Sequence, residues 1–316
     1  MLNPTKPRRK SFFIILAAVI MLVSCTGDDS GDSGADIESG ESLPLTDTSE
    51  PASSDENAEI EETDVEERQP TAVQTITFTA EDGPSLTGKF YPSEQVGNPL
   101  IILMHWAPGD QEDWKHIAPW LQNTELENPE TGDSEQAPWL DTAWFPEIPQ
   151  DLQFNVFTFT FRSCEGGCSR FEREKWFEDV KAAVDTAAAL DGVDNSRIIM
   201  IGASIGSDGA VDGCAYLNEK SPGTCLGAMA LSPGNYLMID FEEMVKALDP
   251  TPVWCLYAET DPESAGVCSG LESENYSSYA YPADKIYSNG HGMNLIEENQ
   301  EPNPLDLMIQ FFRRVL

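Results

Sequence analysis

The stretch Arg197-Ile198-Ile199-Met200-Ile201-Gly202-Ala203-Ser204-Ile205-Gly206 decides the fold that this sequence predicts. Its apolar first half, 197–201, favours a buried strand, and the residues from about 204 to 217 favour a helix. A serine in G-x-S-x-G spacing between a strand and a helix fits a turn so tight that side chains at the glycine positions would collide. Such a turn lifts the Ser204 Oγ clear of the backbone and aims the following N–H groups at a developing oxyanion. Because so short a pattern also occurs by chance, the surrounding elements have to support it.

Outward from this turn, strands alternate with helices. Further strands are predicted at 74–80, 86–91, 99–105, 154–161, 226–231, 252–258 and about 284–288. Further helices are predicted at 110–121, 175–190, 241–248 and 305–316. Such alternation predicts an α/β fold, with an eight-stranded, mostly parallel sheet and helices on both faces. The hairpin at 74–91 adds an antiparallel N-terminal edge.

The order of these landmarks resembles the α/β-hydrolase family, and within it the small members similar to dienelactone hydrolases. The resemblance covers residues 71–316, which we predict to be one catalytic domain. It implies the α/β-hydrolase fold and a triad in the chain order serine, acid, histidine, with Ser204 as the nucleophile. Dienelactone hydrolases proper carry cysteine at this position, so the serine indicates the esterase-like relatives.

Two loops supply the other triad candidates. Glu259-Thr260-Asp261-Pro262, after the strand at 252–258, resembles the family's G-x-x-D-P loop and implies that Asp261 is the acid. Ala258 replaces the usual glycine there, and the neighbouring Glu259 and Glu263 are rival candidates. Gly290-His291-Gly292 resembles the family's G-H-G loop and implies that His291 is the general base, which returns its proton to the leaving group.

The oxyanion hole is implied by a third loop. His105-Trp106-Ala107-Pro108-Gly109 is similar to the family's H-G-x-P loop, with Trp106 at the usual glycine. By that likeness the N–H groups of Ala107 and Ile205 form the oxyanion hole, and the Trp106 N–H is the alternative to Ala107. His105 is expected to be structural, and so is Arg162 in a turn that resembles the family's arginine-glycine turn.

Residues 1–25 predict a signal peptide. A basic segment, Pro7-Arg8-Arg9-Lys10, precedes a wholly apolar run of 12 residues at 12–23, which is short for a membrane-spanning helix. Leu22-Val23-Ser24-Cys25 resembles a bacterial lipobox, which implies cleavage before Cys25 and lipidation of its thiol. The expected location is the bacterial cell envelope, on the extracytoplasmic side. An ordinary signal peptide with a chance cysteine and an uncleaved anchor are the alternatives.

Residues 26–70 predict a disordered acidic tether. They hold 16 acidic residues, one basic residue and no aromatic residue, so they cannot bury enough apolar surface to offset the ordering entropy. A calcium-binding tract is the weaker alternative, because no stretch has the EF-hand order of ligands. The whole chain carries a net charge of −37. Such acidity excludes nucleic acid as a partner, and it suits either solubility or high salt.

Six cysteines remain besides Cys25, and an even number in an exported protein favours disulfides. Proximity in sequence favours the pairs Cys164–Cys168, Cys214–Cys225 and Cys255–Cys268. A zinc site is the rival interpretation, but no C-x-x-C pair exists and histidines are few. We expect no metal and no cofactor.

The segment 122–152 forms no clear element, and it holds Trp139 and Trp144 among several prolines. Loops of this length are commonly functional or disordered. Two interpretations of this segment are open: it forms an aromatic wall over the active site, or it is a loop packed on the protein surface.

The resemblance implies a serine hydrolase that cleaves a small-molecule carboxylic ester through an acyl-enzyme. About 20 residues separate the strands at 226–231 and 252–258, which leaves little room for a cap domain over the pocket. An amidase or peptidase on the same triad and a non-catalytic, hydrolase-fold binding lipoprotein are the alternatives. Oligomeric state is not predicted.

Overall fold

The computed structural model of the chain describes residues 69, 71–124, 126, 137–285 and 290–316. The predicted signal peptide, with Cys25, and all of the predicted tether except Gln69 lie outside the described residues. Within the described ranges, no helix is both long and apolar enough to cross a bilayer.

Eight strands form one sheet in the order β1-β2-β4-β3-β5-β6-β7-β8. Their bounds are β1 Gln74–Thr79, β2 Ser85–Tyr91, β3 Asn98–Met104, β4 Asn155–Phe159, β5 Val193–Ala203, β6 Cys225–Leu231, β7 Val253–Ala258 and β8 Tyr276–Tyr281. β2 pairs antiparallel with both β1 and β4, and the remaining neighbours pair in parallel. The predicted mostly parallel sheet with an antiparallel N-terminal edge is confirmed.

Six α-helices accompany the sheet in the described ranges: α1 Ile117–Leu121, α2 Arg173–Ala188, α3 Ile205–Lys220, α4 Phe241–Ala247, α5 Pro262–Cys268 and α6 Pro304–Val315. Successive strand residues point to opposite faces, so the continuous apolar run of β3 feeds two cores. Leu100 and Ile102 pack with α2, α3 and α4 in one core. Ile101 and Leu103 pack with α1 and α6 in the other. This double burial explains why the central strands read as unbroken apolar runs.

Two expectations about elements are corrected, and one helix was not predicted. The last strand is Tyr276–Tyr281, not 284–288: Ala283–Lys285 forms a 3-10 turn, and 286–289 lie outside the described residues. The three tyrosines of β8, Tyr276, Tyr279 and Tyr281, suit a half-exposed edge strand, but they form neither a continuous apolar run nor a strict alternation that would have located the strand. The single helix expected at 110–121 is a 3-10 turn, Gln111–Trp114, followed by α1. The short helix α5 was not predicted.

The six remaining cysteines are joined in the pairs Cys164–Cys168, Cys214–Cys225 and Cys255–Cys268. Each bridge closes a short loop, with a sequence separation of 4, 11 and 13 residues respectively. The second ties α3 to β6, and the third ties β7 to α5. The first lies in the turn after β4, beside the carboxyl ends of the parallel strands.

Candidate active site

Ser204 lies between the end of β5 and the start of α3. Its backbone has φ 52° and ψ −116°, a conformation that side-chain-bearing residues rarely adopt. A Cβ on Gly202 would collide with the Gly206 carbonyl, and a Cβ on Gly206 would collide with the Met104 carbonyl. The turn therefore requires both glycines. The Ser204 N–H donates to Leu231 O at 2.8 Å, which ties the turn to the end of β6.

His291 connects Ser204 with Asp261. Its Nε2 lies 2.8 Å from Ser204 Oγ, and its Nδ1 lies 2.7 Å from Asp261 Oδ2. The loop before α5 presents Asp261, and the loop after β8 presents His291. Ser204 and Asp261 are buried, while the His291 side chain keeps 25% of its surface exposed. The structure thus brings together the three residues that the sequence singled out.

The surroundings of Asp261 favour its ionised form. Burial acts to raise its pKa, but hydrogen bonds from His291 and Ser264 hold the pKa below its usual value. Ser264 Oγ donates to Asp261 Oδ2 at 2.6 Å. The rival acids Glu259 and Glu263 are both exposed, and Glu259 accepts a bond from the Ala283 N–H at 3.4 Å. Asp261 is the carboxylate in contact with His291.

His105 lies in the loop after β3 and makes two backbone hydrogen bonds. Its Nδ1–H donates to Trp106 O at 2.7 Å, and its Nε2 accepts from the Phe161 N–H at 3.0 Å. Burial lowers the pKa of His105 to about 4, so the ring is neutral at physiological pH. These bonds give His105 a structural position, away from the proton path of His291.

The two predicted oxyanion donors lie on loops that touch. Ile205 is the first residue of α3, and the first N–H groups of a helix have no partner within it. Gly206 packs directly against the carbonyls of Met104 and His105, where the loop that carries Ala107 begins. The Ala107 carbonyl accepts from the Cys168 N–H at 2.7 Å, so the Cys164–Cys168 loop supports this loop from the other side.

Trp106 forms a wall beside Ser204 and the loop that carries His291. A Cβ on Gly292 would lie 2.9 Å from Trp106 Cε3 and 3.5 Å from Ser204 Cβ. Trp106 Nε1 donates to Asp113 Oδ2 at 2.8 Å. Burial raises the pKa of Asp113 to about 6. Asp113 could not be recognised from the sequence, because it is linked to the site by a contact with Trp106 and not by a motif.

The insertion at 122–152 reaches this wall. Trp139 is buried, and its ring meets the Trp106 ring edge to face with centroids 5.5 Å apart. Trp144 Nε1 donates to Pro138 O at 2.9 Å, so this part of the segment is packed. Residues 125 and 127–136 lie outside the described residues. The described part of the insertion is therefore packed, and Trp139 contacts the wall that Trp106 forms.

Tyr236, in the loop after β6, lies beside His291. Its ring lies 6.0 Å from the His291 ring at an interplanar angle of 88°. Buried Asp208 on α3 accepts from the N–H groups of Gly234 and Tyr236 in this loop. Arg173 donates to the Tyr236 carbonyl at 2.8 Å. Burial, followed by nearby carboxylates, raises the pKa of Tyr236 far above its usual value. Tyr236 follows the carboxyl end of β6, where α/β sheets place their ligand sites, so its position in the sequence could have marked it as a candidate site residue.

Arg162 is structural, as expected. Its guanidinium donates to Asp179 Oδ1 at 2.6 Å and to Asp82 Oδ1 at 2.7 Å. It thereby joins the turn after β4 to α2 and to the β1–β2 hairpin.

Comparison with known proteins agrees with this architecture. No protein-family model matches the chain. Among solved structures, the Pyrococcus furiosus esterase Pf2001 aligns with a TM-score of 0.51 and 13% identity, over 78% of this chain and 92% of its own. DcsB, solved with its substrate analogue, aligns with a TM-score of 0.50 and 13% identity, over 77% of this chain and 99% of its own. The chain has the α/β-hydrolase fold.

The matches to curated relatives cover a smaller share of both chains than these two structures do. The uncharacterized protein YfhR of Escherichia coli K12 is 21% identical over 208 residues, which cover 61% of this chain and 64% of YfhR. YfhR of Salmonella typhimurium is 23% identical over 220 residues, with 61% and 65% covered. The chain thus spans slightly less than two thirds of the curated relatives that it matches.

Proposed function

We propose that this chain is a serine hydrolase that cleaves small-molecule carboxylic esters through an acyl-enzyme. The observation that carries the proposal is the unbroken hydrogen-bond path from Ser204 Oγ through His291 to Asp261, with distances of 2.8 and 2.7 Å. The serine at its end lies on a strained turn, where backbone strain is characteristic of functional residues. The Pyrococcus furiosus structure is called an esterase, but the proposal rests on the site and not on the shared fold.

The path assigns a proton-transfer role to each residue. His291 Nε2 accepts the Ser204 proton as Oγ attacks the ester carbonyl, and it then returns the proton to the leaving alcohol. Asp261, kept ionised, accepts the Nδ1–H bond, sets the tautomer of His291 and stabilises the imidazolium that forms. Water then attacks the acyl-enzyme with His291 again as the base.

The tetrahedral intermediate carries a negative oxygen that needs donors. The N–H groups of Ile205 and Ala107 are proposed for this role, and each such donor is worth a factor of about 10² to 10³ in kcat. Ile205 adds the positive end of the α3 dipole. The loop at Ala107 is held by the Cys168 N–H bond at 2.7 Å, so the donor is in place before the substrate arrives.

The cellular location belongs to the same proposal. A lipid on Cys25 would hold the enzyme at the bacterial cell envelope, with residues 26–70 as the tether and the domain on the extracytoplasmic side. The support comes from the sequence: the basic and apolar run, the lipobox-like Leu22-Val23-Ser24-Cys25 and the acidic composition that follows.

The test is hydrolysis of p-nitrophenyl esters, from acetate to octanoate, by the full-length chain. The Ser204→Ala variant is expected to lose kcat by at least about 10⁴-fold. Ser221→Ala, at the far end of α3, is the matched serine control and should stay within about twofold, as surface substitutions away from such features usually do. An active Ser204→Ala variant, or a folded wild type that cleaves no ester in the series, contradicts the proposal. The profile over acyl length measures the acyl pocket.

A further inference from the structure

A cavity lies on the α2–α3–α4 side of the sheet, and its lining does not include Ser204, Asp261 or His291. It has a volume of about 730 Å³, within the range of small-molecule sites. Most of its lining is apolar or aromatic, from residues that include Phe177, Ala215, Tyr216, Ile239, Met244 and Leu248. An apolar cavity with a few polar groups is the usual form of a ligand site.

Asp212 is the buried charged residue of this lining. It is 2% exposed, and within the described ranges its Oδ2 is buried and has no hydrogen-bond partner. The contrast is Asp208, one turn earlier on α3, whose carboxylate accepts from backbone N–H groups of the loop after β6. Burying a carboxyl oxygen without a hydrogen-bond partner costs folding free energy, so such a group in a native protein calls for an explanation. Asp212 plays no part in the proposed ester hydrolysis.

The charges around the cavity favour a cation. Glu219 on α3 and Asp249 after α4 are exposed acids at its edge. The one basic residue of the lining, Lys181 on α2, is paired with Glu178 at 2.7 Å. Tyr216 is also engaged outside the cavity, since its hydroxyl donates to Asp185 at 2.8 Å. Among the lining residues, no unpaired basic side chain is therefore present to neutralise the acidic ones.

We propose that this cavity binds an organic ammonium ion with an apolar body, its charge paired with the Asp212 carboxylate. The apolar body lies among the side chains of α2, α3 and α4, and Glu219 and Asp249 attract the cation from the solvent side. The proposal goes beyond the proposed ester hydrolysis and does not depend on it.

Proton release gives the site a specific signature. Burial, followed by the charge of Asp208, raises the pKa of Asp212 to about 8. At pH 7 the carboxyl is therefore mostly protonated, and binding of an ammonium ion transfers that proton to the buffer. The affinity for the amine should rise by close to tenfold from pH 7 to pH 9 as Asp212 ionises. The other facing groups are Asp208, Tyr216, Glu219, Lys181 and Asp249.

The experiment is isothermal titration calorimetry of the full-length chain with 4-phenylbutylamine, its neutral isostere 4-phenylbutan-1-ol and 4-phenylbutanoate. The amine is expected to bind one to one and at least tenfold tighter than the alcohol, with release of nearly one proton at pH 7. The carboxylate should not bind. Equal binding of amine and alcohol, or no binding of the amine, overturns the proposal.

Two variants assign the effect to Asp212. Asp212→Asn should weaken amine binding at least tenfold and abolish the proton release. Glu219→Gln removes the same charge from the edge of the cavity and should weaken binding less than threefold. Wild-type-like binding by a folded Asp212→Asn variant overturns the proposal. If that variant does not fold, the amine–alcohol comparison and the proton count on the wild type still decide the question.

Discussion

Ser204 adopts a backbone conformation that is expensive for a residue with a side chain. Conformations of this kind cost on the order of 1–3 kcal/mol and persist only where the surroundings enforce them. Here the enforcing contacts are the close approach of Gly202 to Gly206, of Gly206 to the end of β3, and the bond from the Ser204 N–H to β6. The two glycines are thus steric requirements of the turn.

Gly202→Ala tests this requirement. Since its Cβ would overlap the Gly206 carbonyl, we expect a loss of at least about 2 kcal/mol in the free energy of unfolding, or no folded protein. Gly266→Ala, in α5, is the control, because a Cβ there meets nothing within 4 Å. Its stability should change by less than about 1 kcal/mol. Denaturant unfolding measures both, and equal stabilities would refute the steric argument.

Asp261→Asn tests the role of the acid. The amide cannot hold the His291 tautomer that the mechanism needs, so kcat should fall by about 10⁴-fold while the fold is kept. Glu259→Gln, an exposed neighbour, should stay within about twofold of wild type. Kinetics with p-nitrophenyl acetate and a circular dichroism spectrum check both expectations. A larger effect at Glu259 than at Asp261 would reverse the assignment.

At the scale of elements, the site depends on loops that support one another at the carboxyl ends of the strands. The Cys164–Cys168 loop contacts the loop at Ala107 through the Cys168 N–H, and Gly167 approaches it closely. The loop at Tyr236 is held by Asp208 and Arg173. Because these supports hold backbone and not only side chains, a small shift in one loop changes the geometry of the donors.

Gly167→Ala tests the support of the loop that carries Ala107, the proposed oxyanion donor. A Cβ on Gly167 would lie 2.8 Å from Pro108 O, so the Ala107 loop must shift and kcat should fall by about 10- to 100-fold. Gly166→Ala is the matched control, because its φ is also positive but a Cβ there meets nothing within 4 Å. It should keep kcat within about threefold. Equal kcat values in the two variants, with both folded, would contradict the support.

An element could be predicted from the sequence where its own burial leaves a continuous apolar run. The apolar runs of β3 and β5 are buried on both faces, so they were recognisable. β8 is a half-exposed edge strand without an apolar run, and its position was predicted wrongly. The contact of Trp106 with Asp113 spans seven residues, and the contact of Tyr236 with His291 joins distant segments; neither follows a sequence motif. Such contacts depend on tertiary packing, which periodicity does not report.

At the scale of the whole molecule, buried acids set the response to pH. Burial raises the pKa of Asp113 to about 6, of Asp208 to about 7 and of Asp212 to about 8. In the unfolded chain these groups titrate near the usual aspartate value. Between about pH 4 and pH 8 these three carboxyls therefore bind more protons in the folded protein than in the unfolded chain, so their contribution to the free energy of unfolding falls as the pH rises. The lowered pKa of His105 acts in the opposite direction, but only below about pH 6.5.

The measurement is the free energy of unfolding from pH 5 to pH 9. We expect the wild type to lose at least about 2 kcal/mol over this range. Asp212→Asn should lose at least about 1 kcal/mol less than the wild type, because its side chain cannot be ionised. Glu219→Gln, which replaces an exposed carboxyl at the edge of the same cavity, is the control and should follow the wild type. A wild-type stability that rises toward pH 9 would refute the sign of these shifts.

The proposed ester hydrolysis depends most directly on Ser204 as the nucleophile. Exposure of the full-length chain to a fluorophosphonate, followed by mass spectrometry, measures this without knowledge of the substrate. We predict one adduct, located on Ser204, that is absent from Ser204→Ala and strongly slowed in His291→Ala because the base is lost. A folded wild type that stays unlabelled, or a label on another residue, would contradict the account.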